Sequence, residues 1–242
     1  MATVLTLDNI NVDGKTVLVR IDINSPLDPS TKALLDDTRI RAILPTINRL
    51  SKAKTVLIAH QSRPGKNDFT STLGHARELG RLLGRSIKWV QDIHGEKAMK
   101  AIEAMEDGDI LMLNNIRMDP EEVGSKGDSL ALSETTLVQD LASVADVFVN
   151  DAFGAAHRAH ASTQGVTNFL SPSVAGFLLE KELKLIPEII SDSLLSSDFP
   201  VYTINDINEL VNIRGLKIIS ANLLNLEGLI KKPNIIYSLE PT

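Results

Sequence analysis

Short apolar runs rich in β-branched residues alternate with longer stretches of helical periodicity through most of this chain, and that alternation leaves few folds open. The extended runs are Thr16–Ile23, Thr55–Ala59, Ile87–Val90, Asp109–Leu113 and Asp146–Val149. Helical patterning falls between them, over Asp37–Lys52, Leu73–Leu83, Glu96–Met105 and Ser129–Ser143. Strands that are apolar on both faces and separated by helices belong in a parallel sheet covered on both sides. Right-handed crossovers then give a doubly wound α/β fold, Rossmann-like, over residues 1 to about 180. Turn-forming residues make surface loops of Ser30–Asp36, Gly65–Ser71 and Asp119–Asp128.

The last 60 residues follow a different pattern. A helix over Val174–Ile190 is expected to end or bend at Pro187. Extended pieces follow at Phe199–Ile204, Leu216–Ser220 and Asn234–Leu239, with short helical segments between them. Such a tail supports two or three elements and falls short of a second full domain.

Charge and composition narrow the function. The formal net charge of −6 argues against nucleic acid held by general basicity. An acidic protein still binds an anion where its cations converge. The absence of cysteine excludes disulfides and thiolate metal sites. No apolar stretch approaches the roughly 20 residues that span a bilayer, and the N-terminus has no signal-peptide pattern. A cytoplasmic protein without membrane or nucleic-acid partners is expected.

In open parallel sheets, ligands bind outside the carboxyl ends of the strands. The first run ends in Asp22 and Asn24, and the second in His60 with Arg63 close behind. Asn114, Asn115 and Arg117 follow the fourth. Asn150 and Asp151 end the fifth, whose loop carries His157, Arg158 and His160. Arg39 opens the helical stretch after the first. Guanidinium groups from separate loops suit a compact ligand bearing phosphate and carboxylate.

Taken singly, each residue has an ordinary structural explanation. Arg39 reads as a solvated helix residue, and Asp36 and Asp37 as carboxylates at a helix start. His60 reads equally as a core histidine, and Asn114–Asn115 as turn formers. His157 and His160 have metal-ligand spacing but no evident third ligand. Their joint placement at the strand ends is what favours a site. Glycine-rich dinucleotide and P-loop fingerprints are missing, as are the nucleophile-elbow and zinc-protease motifs.

Six blocks in order resemble the phosphoglycerate kinase family. They are Val17–Pro26, Asp37–Arg41, His60–Pro64, Asn115–Arg117, Asn150–Arg158 and Ala175–Leu183. Ser25–Pro29 and His60–Gln61 look most like the archaeal-type branch. The resemblance implies reversible phosphoryl transfer between ATP and the carboxylate of 3-phosphoglycerate in glycolysis, with Mg-ATP as the nucleotide. By the same resemblance Asp22 and Asn24 hold the glycerate, and His60, Arg63, Arg117 and Arg158 surround its phosphate. Arg39 is the catalytic residue, stabilising charge on the transferring group.

Three substitutions depart from the family pattern: Asn114 for Glu, Ser62 for Gly and Met118 for Phe. More consequential, the family's glycine-rich nucleotide segments are not found, and adjacent glycines occur nowhere in the chain. An ATP site is therefore not identifiable here. The expected organisation is a 3-phosphoglycerate-binding domain over residues 1–182, then an interdomain-helix remnant and divergent tail over 183–242. Three readings stand open: a truncated kinase that cannot turn over alone, a subunit completed by a separate nucleotide-binding domain, and a non-catalytic anion-binding protein.

Overall fold

The computed structural model describes residues 4–124, 129–185, 202–203 and 236–237. The chain divides into two compact units, Met1–Glu180 and Lys181–Thr242.

The first unit is built on six parallel strands: β1 (Thr16–Ile21), β2 (Lys54–Ile58), β3 (Lys88–Val90), β4 (Ile110–Leu113), β5 (Val147–Asp151) and β6 (Ser173–Ala175). They lie in the order β3-β4-β2-β1-β5-β6, so β1 sits centrally between β2 and β5. From β1 the chain moves outward through β2, returns with β4, then crosses to β5 on the other side. This reversal leaves a crevice at the carboxyl edge around β1.

Strand alternation sorts the core into two layers. Val17, Val19, Ile21, Leu57, Val147 and Val149 pack on one face with Ile40, Ile43, Ile47 and Leu79. Leu18, Val56, Ile58 and Phe148 pack on the other with Ile102, Leu137 and Leu141. The helices that cover the first face are α1 (Thr38–Ala42), α2 (Leu44–Arg49) and α3 (Leu73–Leu83). Those over the second include α4 (Glu96–Glu103) and α7 (Thr136–Ser143). Full burial of each such aliphatic side chain contributes about 1.5–3 kcal/mol, so both faces of the sheet hold their helices.

Two expected helices are split. Pro45 cannot donate to the carbonyl of Arg41 and its ring crowds that carbonyl, so the stretch breaks into α1 and α2. Ser129–Ser143 divides into α6 (Ser129–Ser133) and α7 because the Thr135 hydroxyl caps the amide of Val138 at 3.4 Å. Within the loop expected over Asp119–Asp128 lies a helical turn, α5 (Glu121–Gly124); residues 125–128 fall outside the described residues. The short helix α8 (Phe153–Ala156) follows β5. Val174 belongs to β6 rather than to a helix, and the next helix, α9, begins at 177 and is described to 185. Its first turn is capped by Asp151, whose Oδ1 accepts from the amides of Leu178 and Leu179 at 2.8 and 3.2 Å.

In the second unit, β7 (Tyr202–Thr203) pairs antiparallel with β8 (Ile236–Tyr237), inside two of the expected extended segments. Pro187 and Leu216–Ser220 lie outside the described residues. Among the described residues no helix is long and apolar enough to cross a membrane.

Candidate anion-binding site

Arg20 organises the carboxyl edge, although nothing in its sequence position drew notice. It stands in β1 in register with Ile58 of β2 and Asn150 of β5, on the same face as Leu18, and is fully buried. All three guanidinium nitrogens are used: Nε donates to Ser162 Oγ at 3.0 Å, Nη1 to the carbonyl of Ile21 at 3.0 Å, and Nη2 to His60 Nδ1 at 2.8 Å. Guanidinium only donates, so His60 Nδ1 must accept and the ring proton resides on Nε2. Burial, together with the charges of Arg20, Arg117 and Arg158, holds His60 far below the usual histidine range. His60 is therefore a neutral N–H donor.

Counter-charge comes from Glu122 on α5, itself fully buried. Its carboxylate accepts from the amide and the hydroxyl of Ser162 at 2.9 and 2.7 Å, and His160 Nδ1 lies 3.4 Å away. Burial pushes this carboxyl up, but His160, the Arg20 charge and Ser162 outweigh it and keep Glu122 ionised.

Arg117, in the 3-10 turn Ile116–Met118 after β4, is 8 % exposed. Its Nη1 donates to the carbonyl of Ser62 at 2.6 Å. Burial, then the like charges of Arg158, Arg20 and Arg63, lower its pKa to about 10. Those three charges therefore lie within electrostatic reach of Arg117. Arg63 and Arg158 are exposed at the mouth, where Arg158 Nε meets His157 Nε2 at 3.3 Å.

Ser62 has φ +57°, a conformation glycine adopts freely and other residues at a cost. Its amide donates to Asn24 Oδ1 at 2.7 Å and its hydroxyl to Asp68 Oδ1 at 2.6 Å. With Arg117 on its carbonyl, Ser62 has its amide, hydroxyl and carbonyl all bonded, which holds the loop that carries Arg63. Gln61 ties the same loop to Ser25 through the Ser25 amide (3.2 Å) and carbonyl (3.0 Å). Asn115 Nδ2 bonds to the carbonyls of Gln61 and Thr70 at 2.8 and 2.7 Å, and its Oδ1 caps the Arg117 amide. Asn114 Oδ1 accepts from the Asn115 amide at 2.8 Å, so both asparagines serve the backbone as turn formers.

Arg39 on α1 places Nη1 2.5 Å from Asp22 Oδ2. Gly154 of α8 faces this pair, since a Cβ there would stand 2.7 Å from Asp22 Oδ2 and 3.8 Å from Arg39 Nη1. Asp22 Oδ1 also accepts from the Asn24 amide at 3.3 Å. A chain of contacts thus runs from Arg39 through Asp22, Asn24 and Ser62 to Arg117. Asp36 bonds the Thr38 amide at 2.6 Å, whereas Asp37 pairs with Arg41 at 2.7 Å instead of capping α1.

Arg20, Glu122, Ser162 and Gln61 were missed by sequence reasoning. One signal was available for Arg20: a charge inside a strand apolar on both faces must find buried partners. The described residues do not fit a nucleotide phosphate. Among the described residues glycine directly precedes two helices, and both helix ends are taken: Asp92 accepts from the amides of Ile93, Gly95 and Ala98 before α4, and Asp151 from those of Leu178 and Leu179 behind Gly176.

Fold and site together define a doubly wound α/β protein with arginines and a neutral histidine gathered at the carboxyl edge of its sheet. The family model described as phosphoglycerate kinase matches residues 7–196. A phosphoglycerate kinase of Methanobacterium bryantii is 50% identical over 181 residues, covering 74% of this chain and 44% of the relative. That of Gloeobacter violaceus is 43% identical over 205 residues, 84% of this chain and 47% of the relative. The crystal structure of phosphoglycerate kinase from Pyrococcus horikoshii superposes with a TM-score of 0.73 at 36% identity, covering 81% of this chain and 47% of that one. The chain belongs to the phosphoglycerate kinase family, and it spans under half the length of the relatives it matches.

Proposed function

We propose that residues 1–182 form a 3-phosphoglycerate-binding domain, and that this chain holds the acceptor half of a phosphoglycerate kinase. The observation that carries this reading is the gathering of Arg20, Arg117 and Arg158 around a neutral His60, with Arg63 within electrostatic reach of Arg117. Such a cluster is repelled by itself and relieved by a small dianion. His60 Nε2–H, Arg63, Arg117 and Arg158 then bind the phosphate. Asp22 and Asn24 contact the glycerate, and Arg39, paired with Asp22, faces the reacting carboxylate as the catalytic residue.

For the family reaction the nucleotide is Mg-ATP, and no residue of this chain is assigned to it. Phosphoryl transfer depends on charge neutralisation and on excluding water between two substrates, so a lone acceptor half binds without turning over. A cytoplasmic glycolytic role, with a separate nucleotide-binding domain as partner, completes the proposal. The test is calorimetric titration of the full chain with 3-phosphoglycerate and, separately, with Mg-ATP. Saturable binding of the first and none of the second is expected; Mg-ATP binding of similar strength would overturn the assignment. Mixing with an isolated nucleotide domain and assaying ATP formation distinguishes a subunit from an inert binder.

A further inference from the structure

A second cluster, unused by the proposed reaction, gathers around His94 beside the turn that follows β4. His94 sits in the turn between β3 and α4, Asp119 ends the 3-10 turn after β4, Glu121 opens α5, and Asp140 lies on α7. Both imidazole nitrogens face carboxylates: Nε2 is 2.8 Å from Asp119 Oδ2 and Nδ1 is 2.8 Å from Asp140 Oδ2. One ligand atom each from His94, Asp119 and Glu121 lie within 4.8 Å of one another. The acidic side chains are anchored. Asp119 Oδ1 accepts from the Glu121 amide and Glu121 Oε2 from the Leu137 amide, both at 2.8 Å, which leaves one oxygen of each for another partner. Among the described residues no lysine or arginine pairs with any of the three carboxylates. Three carboxylates around one imidazole leave an excess of negative charge at a partly exposed point.

We propose that His94, Asp119 and Glu121 form a binding site for a divalent transition-metal ion of the zinc type, with Asp140 as the carboxylate that orients the imidazole. An imidazole among the ligands selects zinc-like ions over magnesium or calcium, which take all-oxygen sites. The ion takes the place of the Nε2 proton between His94 and Asp119. Zinc bonds near 2.0–2.1 Å at tetrahedral angles separate ligand atoms by about 3.3 Å, so His94 Nε2 and Asp119 Oδ2 part by only about half an ångström. The Nδ1–H···Asp140 contact already has the arrangement that fixes a metal-bound histidine. Bound there, the ion ties together the β3–α4 turn, the β4 loop and α5, the helix that also carries Glu122.

The experiment titrates the full chain with zinc chloride in metal-free buffer at neutral pH, by calorimetry and by imidazole nitrogen NMR. One saturable equivalent is expected, not displaced by excess magnesium, with His94 Nε2 shifted to a metal-bound position and its Nδ1 proton retained. His94→Gln and Asp119→Asn should abolish that equivalent, and Asp140→Asn should weaken it by about 10–100-fold. Glu121→Gln preserves all contacts of His94, so it must lose affinity while far-UV circular dichroism stays unchanged, which covers the case in which a His94 variant unfolds. The absence of saturable zinc binding would leave His94 as an imidazolium held between two carboxylates and sink the proposal. Unchanged affinity in His94→Gln would do the same by assigning the ion to other histidines, as would an Asp140→Asn variant that binds like the parent.

Discussion

Removing one arginine from the mouth of the crevice should change stability with opposite signs in the free and the liganded protein. Arg158→Ala is the informative variant, because Arg158 is exposed and is the foremost of the like charges acting on Arg117. Arg117 held at about 10 rather than 12.5 represents about 3 kcal/mol of unfavourable interaction. Burial accounts for the largest part, and solvent screens the remainder, leaving on the order of 0.5 kcal/mol for the share of Arg158. The free variant should therefore be as stable as the parent or slightly more so. In the complex the same change removes a charge-assisted hydrogen bond of about 1.5–3 kcal/mol, weakening 3-phosphoglycerate roughly 10–150-fold. At ligand one hundred times the parent's Kd, the parent gains about 2.7 kcal/mol, and a variant weakened thirtyfold gains about 0.9. Thermal melts with and without ligand should cross: the variant above the parent alone, below it with ligand. High salt should erase the difference between the free proteins. Should Arg158→Ala destabilise the free chain by more than about 1 kcal/mol, or leave the ligand-induced gain intact, the self-repelling cluster is not what the crevice contains.

Gly154→Ala should retain the fold but cost about 1–3 kcal/mol, because its Cβ would press on Asp22 Oδ2 and turn that carboxylate from Arg39. Urea unfolding and 3-phosphoglycerate titration measure both effects, and unchanged affinity would separate Asp22 from the ligand. At Ser62, glycine should change stability by no more than about 0.5 kcal/mol, since relief at φ +57° offsets the lost bond to Asp68. Valine there, with neither hydroxyl nor tolerance for that conformation, should cost about 2 kcal/mol or more in the same unfolding assay. Burial lowers His75 to about 4 from 6.5, so the unfolded chain takes up that proton first as pH falls. Stability is fully present above about 6.5 and lost down to about 4, by about 3 kcal/mol, with His60 acting in the same sense. Denaturant midpoints across that range should fall with acid, and His75→Gln should flatten the slope.

The layers of the sheet were legible because side chains alternate between the faces of any strand: Val17, Val19 and Ile21 must face away from Leu18 whatever the loops do. Where one residue overrides periodicity, the sequence had the cause in view and gave it too little weight. Pro45 and Thr135 are ordinary helix breakers and starters, yet each lay inside a pattern that runs unbroken by hydrophobicity alone. β6 was illegible for another reason. Its three residues are too short to show a period, and pairing with β5 decides their conformation.

The site divides along the same line. Residues that end strands, such as Asn24, His60 and Arg117, stood out as candidates because topology delivers strand ends to one edge. Arg20 and Glu122 were not, because their meaning lies in each other: 102 positions separate them, and Ser162 joins them only in the folded chain. A buried arginine without that carboxylate would be prohibitively costly, and a buried carboxylate without the arginine equally so. The pair therefore binds β1 to α5 as a condition of folding, and the same contacts fix the tautomer of His60. On the proposed function, the electrostatics that stabilise the fold and those that prepare it for an anion are carried by the same atoms. Substitution at Arg20 would lose both at once, whereas Arg63 and Arg158, exposed at the mouth, allow the two to be measured separately.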